Sequence, residues 1–309
     1  MPDTREIREQ VARESERRSR LGGAAFGAGF LYFLSSIIIS ETLNGAPTVG
    51  LLQGLAPAVS GVANPAVSPR APEVKFIAGH SLPLIAGSAL SAIAIAILTL
   101  ILLVLLDATL FRRPETWKFA LPLVLGGGVA LALVSVGHQA ASAIETHNFV
   151  SAHDYTNHAV EHALSTGAVN EAFDYIDLIA GLAFAAGMIG AVQGALRVGL
   201  VPRWMGIVGM VSAVLIFLPI GGGELQIVPA FWIVMMGVLF YGKWPKGDPP
   251  AWAAGEARPW PSGAQMRAQA REAAAGAGAA AGGSAAAVPA PVPPAGGGSS
   301  RKRRRKRGG

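Results

Sequence analysis

Apolar runs of about twenty residues or more alternate with short charged islands along this chain. A helix of about 20 apolar residues crosses the ~30 Å hydrocarbon core of a bilayer, so each long run reads as a transmembrane span. Six are expected, over about 21–43, 81–107, 119–144, 175–198, 204–220 and 225–241. The first, LGGAAFGAGFLYFLSSIIISETL, follows basic residues as a secretory signal would, yet it is longer than a signal core and no small-x-small cleavage site follows. It is expected to remain as a helix. The second lies within the longer apolar stretch Phe76–Leu110, with Pro83 near its start. The expected fold class is all-α: a polytopic six-transmembrane-helix bundle over residues 21–243.

The flanks differ from the spans. Residues 1–20 alternate acids and bases at helical spacing, with only Ile7 and Val11 as an apolar stripe, which predicts a short solvated or surface-lying helix. Residues 44–75 form a Pro- and Gly-rich connection, in which GLLQGLAPAV is too short to span and is interrupted by Pro57. Residues 244–309 are dominated by Pro, Ala, Gly and Ser. They predict a disordered tail, relieved only by a short helix at AQMRAQAREAAA and ended by the basic cluster RKRRRKR.

Composition supports a membrane class, since 51% of residues are hydrophobic and only 14% charged. The absence of cysteine excludes disulfides, thiolate-bound zinc, iron–sulfur clusters and thiol nucleophiles, which leaves His, carboxylates and hydroxyls for any chemistry. The net charge of +6 is a poor guide to partners, because seven of the 25 Lys and Arg residues lie in Arg301–Arg307. That cluster is expected to meet anionic lipid headgroups. The tail tethers it beside the bilayer, which favours lipid over nucleic acid.

Orientation follows from Lys and Arg in the short connections, which are retained in the cytoplasm. Arg17, Arg18 and Arg20 precede the first span, Arg112, Arg113 and Lys118 separate the second from the third, Arg197 and Arg203 the fourth from the fifth, and Lys243 and Lys246 follow the sixth. The opposite connections hold only Arg70 and Lys75. Both termini are therefore expected in the cytoplasm.

That orientation turns one stretch outward. His138, His147, His153, His158 and His162 lie with Glu145, Asp154, Glu161, Glu171, Asp174 and Asp177 between two apolar runs. His158 and His162 are spaced i,i+4, as two neighbouring ligands of a divalent transition metal on one helix face would be. The plainer reading is a polar interfacial helix with both rings in water, because the pair lacks the internal Glu that makes HExxH informative. His138 is the more pointed residue, since an ionisable group inside an apolar run is costly without a partner. Ser142 and Glu145 follow it on the same face, and His138 is also a candidate metal ligand. Glu41, His80, Asp174, Asp177 and Glu224 fall at span ends or turns on the same side, and a ligand site shared among these ends is the expectation to test. Asp174 and Asp177 have a bland alternative, as carboxylates favoured at a helix N-terminus. Gly187, Gly190, Gly194, Gly206 and Gly209 read as close helix packing, and Gly126–Gly128 as a loosening of the third span.

The segment LRVGLVPRWMGIVGMVSAVLIFLP, with its Pro-Arg-Trp entry and Gly-spaced apolar helix, resembles a stretch of small bacterial six-helix membrane proteins grouped as a domain of unknown function. The resemblance implies an integral protein of a bacterial cytoplasmic membrane and supplies no catalytic residue. No Walker, Rossmann or serine-hydrolase motif occurs in a supporting context. The leading expectation is a non-enzymatic membrane protein that binds a metal or small ligand at its outer face, in transport or sensing. A metal-dependent membrane hydrolase, with a carboxylate base and a metal-activated water, is the second reading. A scaffold without a site is the third.

Overall fold

The computed structural model describes residues 3–50, 67–115, 118–166, 168–218, 225–245 and 247–260, together with a few isolated positions. Every regular element among them is helical. In chain order these are α1 (Thr4–Asn44), α2 (Ala71–Gly79), α3 (Ser81–Arg112), α4 (Ala120–Ala152), α5 (Asn157–Glu161) with a π turn (His162–Thr166), α6 (Ala168–Val198), α7 (Arg203–Phe217), α8 (Ile227–Phe240) and α9 (Pro250–Ala254). Four helical runs are long and apolar enough to cross a membrane: α1, α3, α4 and the run Asn157–Val198. The apolar helices α7 and α8 are shorter, at 15 and 14 residues.

α1 merges the charged start and the first apolar run, which differs from the short separate helix expected over 1–20. Nothing in the sequence interrupts it. An Asp3/Glu6 capping box starts the helix, with the Asp3 amide donating to Glu6 at 3.1 Å. The i,i+4 pairs Arg5–Glu9 and Glu16–Arg20 then carry the polar turns up to Leu21. At 41 residues α1 is about 60 Å long, roughly twice the hydrocarbon thickness. Its charged half is not simply solvated, because Gln10, Glu14 and Arg18, spaced by four, form one buried face.

The first compact unit extends to Trp260, beyond the tail boundary expected at 244. Residues 247–260 turn back across the bundle end, and Ala251 and Trp252 are buried. Two helix ends receive this strap. At the end of α6, Gly199 adopts φ +86°, Leu200 N–H donates to the Ala195 carbonyl at 2.9 Å, and Arg258 N–H donates to Val198 O at 2.9 Å. At the end of α8, Gly242 at φ +67° plays the same part, and Arg18 donates to Leu239 O at 2.7 Å. Trp252 Nε1 donates to Leu200 O at 2.9 Å. In the separate unit of residues 261–309, Arg267, Ala268, Arg271 and Glu272 are helical, within the segment expected to form a short helix. The basic cluster Arg301–Arg307 lies outside the described residues, as do Trp117, Lys246 and Glu224.

Successive long helices run antiparallel, and small residues set how closely they approach. In the α4–α6 pair a Cβ on Gly127 would lie 2.6 Å from the Phe184 amide nitrogen, and one on Gly187 would lie 2.7 Å from the Val124 nitrogen. Backbone therefore meets backbone at both points. Gly127 serves this contact and Gly128 packs against Thr99 of α3 and the Phe184 ring, all within an unbroken α4, in place of the loosening expected at 126–128. Elsewhere Arg17 meets Asp107 and Ile39 meets Gly87 across α1 and α3, while Tyr32 meets Gln226 and Gly22 meets Tyr241 across α1 and α8. Trp232 of α8 is fully buried against Gly209, its indole donating to Met205 O at 2.9 Å. The principal core runs through these helices around Leu98, Ile101, Leu105, Phe184, Met188 and Trp232.

A second, smaller cluster lies at the opposite end from the strap. Val74 of α2, Phe149 of α4 and Val160 of α5 are buried together, and Ser68 N–H donates to Tyr155 O at 2.7 Å. The Lys75 ammonium sits 3.8 Å from the centroid of the Tyr155 ring. α2 ends at His80, where the backbone breaks before α3, so the apolar stretch beginning at Phe76 is two helices.

Candidate functional site

The helix of the third apolar run continues well beyond residue 144, and this extension positions the site. α4 persists to Ala152, since no proline or glycine follows Gly137 within it, and the Thr146 and Ser151 hydroxyls donate back to carbonyls one turn earlier. It ends where His153 takes the left-handed conformation at φ 55°. Asp154 Oδ1 then accepts from Thr156 N–H at 3.1 Å, and the Thr156 hydroxyl caps α5 by accepting from Ala159 N–H at 3.3 Å. These turns bring α5 back beside the end of α4.

One face of α4 presents His138, Ser142 and Glu145 at i, i+4 and i+7, and two of these meet α6. His138 Nε2 lies 3.6 Å from Asp174 Oδ1, with its ring parallel to Phe173 at 6.2 Å. Gly137 leaves room for that ring, since a Cβ there would lie 2.8 Å from Phe173 Cε1. Seven residues on, Glu145 Oε2 accepts from the Asn170 side-chain amide at 2.8 Å. Asn170 is buried, and its amide oxygen has no hydrogen-bond partner among the described residues. Ser142 contributes its carbonyl, which accepts from the Thr146 hydroxyl at 2.7 Å.

Glu145 also lines a groove of about 290 Å³ between α4 and the α5 turn. Asn148, Phe149, Asp154, His158 and His162 share that lining. His158 and His162 thus face one groove, although His162 begins the π turn and both residues are exposed. Two carboxylates and two imidazoles give the groove an excess of acceptors when the imidazoles are neutral, with the Phe149 ring as an apolar wall.

Of the remaining candidates, Asp177 lies within electrostatic reach of His138 and Asp174, and no contact joins Glu41 or His80 to the set among the described residues. Glu41 is exposed in the last turn of α1. His80 stacks on Phe76 at 3.9 Å, its Nδ1 lying 2.8 Å from the carbonyl of that residue. Asp177 is exposed one turn beyond Asp174. Among the described residues no three His, Asp or Glu side chains are gathered as a metal ion requires, so His138, His158 and His162 are not a common ligand set. His138 belongs with Asp174, and the other two belong with Glu145.

Two features escaped the sequence reading. Asn170 escaped because an uncharged amide at a helix start carries no titratable signal, although it lies four residues before Asp174. The buried polar cluster under the strap escaped because its members come from four distant segments. There Arg112 pairs with Glu14 at 2.8 Å, and the Arg18 guanidinium carbon lies 4.3 Å from the Trp252 ring centroid. The repeat of Gln10, Glu14 and Arg18 at four-residue spacing was the available clue. No family model matches the chain, and no curated protein and no solved structure matches it either.

Proposed function

We propose that this chain is a non-enzymatic, six-span protein of a bacterial cytoplasmic membrane that binds a small cation at its extracytoplasmic end, with the Glu145 carboxylate as anchor. The observation that carries the reading is the Glu145–Asn170 bond at 2.8 Å on the wall of a groove that also holds Asp154, His158 and His162. An amide that donates to one carboxylate oxygen fixes its direction and leaves the other oxygen free to accept from a cationic donor. Sensing or transport of such a ligand is the role that fits a groove at a helix-bundle end.

The six-span topology is supported by the antiparallel order of the helices and by the basic residues at the strap end. α7 and α8 measure about 22 and 21 Å, so this hairpin crosses only with help from its flanking apolar residues or a thinned bilayer. A hairpin that dips and returns leaves Arg203 and Lys243 on the same side as a hairpin that crosses. Both termini are cytoplasmic either way. The resemblance of residues 196–219 to small six-helix bacterial membrane proteins belongs to the same reading, as does attraction of Arg301–Arg307 to anionic lipids.

Thermal unfolding of the purified protein, with zinc(II) and putrescine as separate probes, tests the site. A probe at a hundredfold its Kd stabilises by about 2.7 kcal/mol, and Glu145→Gln removes that gain. His158→Ala/His162→Ala abolishes a zinc effect and spares a putrescine effect. Absence of stabilisation by either probe overturns the ligand reading. The orientation is tested separately with Ser151→Cys in this cysteine-free chain. It is overturned if a membrane-impermeant maleimide fails to label intact spheroplasts.

A further inference from the structure

At the strap end, α1 and α4 both pack on α3, and a groove of about 430 Å³ runs along α3. Its body is apolar, formed by Leu100, Leu103 and Leu121 among others, and its mouth carries Arg17, Arg20 and Asp107. The mouth lies at the level where the first apolar run begins, at Leu21, and where that of α3 ends, at Asp107. The groove therefore passes from headgroup depth into hydrocarbon, with Leu100 half exposed along it.

From this arrangement we infer that the groove is a site for one glycerophospholipid with a primary ammonium headgroup, of the phosphatidylethanolamine class. One acyl chain lies in the leucine trough, the phosphate accepts from Arg17 and Arg20, and the ammonium donates to Asp107. Each group has capacity for this. Arg17 spends one donor on Asp107 at 2.8 Å and Arg20 one on Glu16 at 2.5 Å, which leaves each guanidinium four of its five donors. Both pairs are more than half exposed, so they rearrange around a ligand at little cost. Planar guanidinium forks suit a phosphate, and two of them beside one carboxylate match a headgroup bearing one phosphate and one ammonium. Asp107 disfavours a headgroup without a cation. A quaternary ammonium would neutralise it without donating a hydrogen bond.

The inference rests on the membrane reading above, whose failure appears in the Ser151→Cys labelling and not in a lipid preference. The test is native mass spectrometry of the full chain in detergent, equilibrated in parallel with phosphatidylethanolamine, phosphatidylcholine and phosphatidylglycerol of identical acyl chains. The expected result is one tightly retained phosphatidylethanolamine, held at least about tenfold better than either competitor, as loss of one charge-assisted hydrogen bond implies. Asp107→Asn removes the preference over phosphatidylcholine while retaining a bound phospholipid. Arg17→Gln/Arg20→Gln lowers retention of all three. Leu103→Trp fills the trough and lowers retention with every headgroup contact intact. Equal retention of the three lipids, insensitive to these substitutions, means annular lipid only and overturns the site. Preference for phosphatidylglycerol overturns the role given to Asp107.

Discussion

Replacing Arg112 with Met is expected to release the 247–260 strap from the bundle. The Arg112 side chain is fully buried and every one of its five donors is used. Nη1 and Nη2 each donate to a Glu14 oxygen at 2.8 Å, Nε and Nη2 donate to Ala251 O at 3.1 and 2.9 Å, and Nη1 also reaches Ala108 O at 2.8 Å. Methionine preserves much of the apolar stem and leaves the Glu14 carboxylate, 3% exposed, with Gln10 as its remaining side-chain donor. Removing one partner of a buried pair costs about 3–5 kcal/mol. At about 1.4 kcal/mol per decade, a cost borne by the closed strap raises its open fraction by two orders of magnitude or more.

The absence of cysteine makes this measurable by labelling Ala251→Cys in detergent, since that position is buried in the parent. Arg112→Met should raise the maleimide rate about a hundredfold or more, up to the rate of an exposed thiol. Adding Glu14→Gln removes the stranded charge and should slow labelling relative to Arg112→Met alone. If Arg112→Met changes the rate by less than about threefold, the pair does not hold the strap and the reasoning is refuted.

Three further outcomes follow from other contacts. Gly127→Ala should destabilise the α4–α6 pair by about 1–3 kcal/mol in detergent unfolding, whereas Gly126→Ala, with nothing within 4 Å of the new methyl, should be neutral or stabilising by up to about 1 kcal/mol; similar effects at both sites would contradict backbone contact at Gly127. Truncation after Trp260 should leave the unfolding midpoint unchanged, while truncation after Gly247 removes the buried Trp252 and should cost at least the ~3–5 kcal/mol of a core tryptophan. His138→Ala should cost less than about 1 kcal/mol, because its pair with Asp174 is 3.6 Å long and half exposed; a larger loss in the same unfolding assay would show a stronger partnership.

The two ends of the bundle were unequally legible. The end opposite the strap announced itself, because eight His, Asp and Glu side chains from His138 to His162 stand out between apolar runs, and helical spacing alone puts His138, Ser142 and Glu145 on one face. Which of them met was not legible, since a seven-residue step on α4 is matched by a four-residue step from Asp174 back to Asn170 on α6. Only packed helices define that register. The strap end was less legible for a related reason. Residues 244–260 look like tail by composition, with four prolines and no apolar periodicity, yet one tryptophan finds a slot between two arginines.

Hydrophobic run length and charge placement by themselves determined the all-helical class, the long apolar helices and the two chemically distinct ends, because these depend on how local segments partition between water and hydrocarbon. Tertiary structure alone decided that α1 is continuous from capping box to Asn44, that Glu14 and Arg112 meet across 98 residues of chain, and that Glu145 turns to Asn170 while His138 turns to Asp174. Such pairings depend on rotation and depth between helices, which are set by side-chain volumes at glycine contacts such as Gly127 with Phe184 and by the reach of a strap that no local propensity encodes.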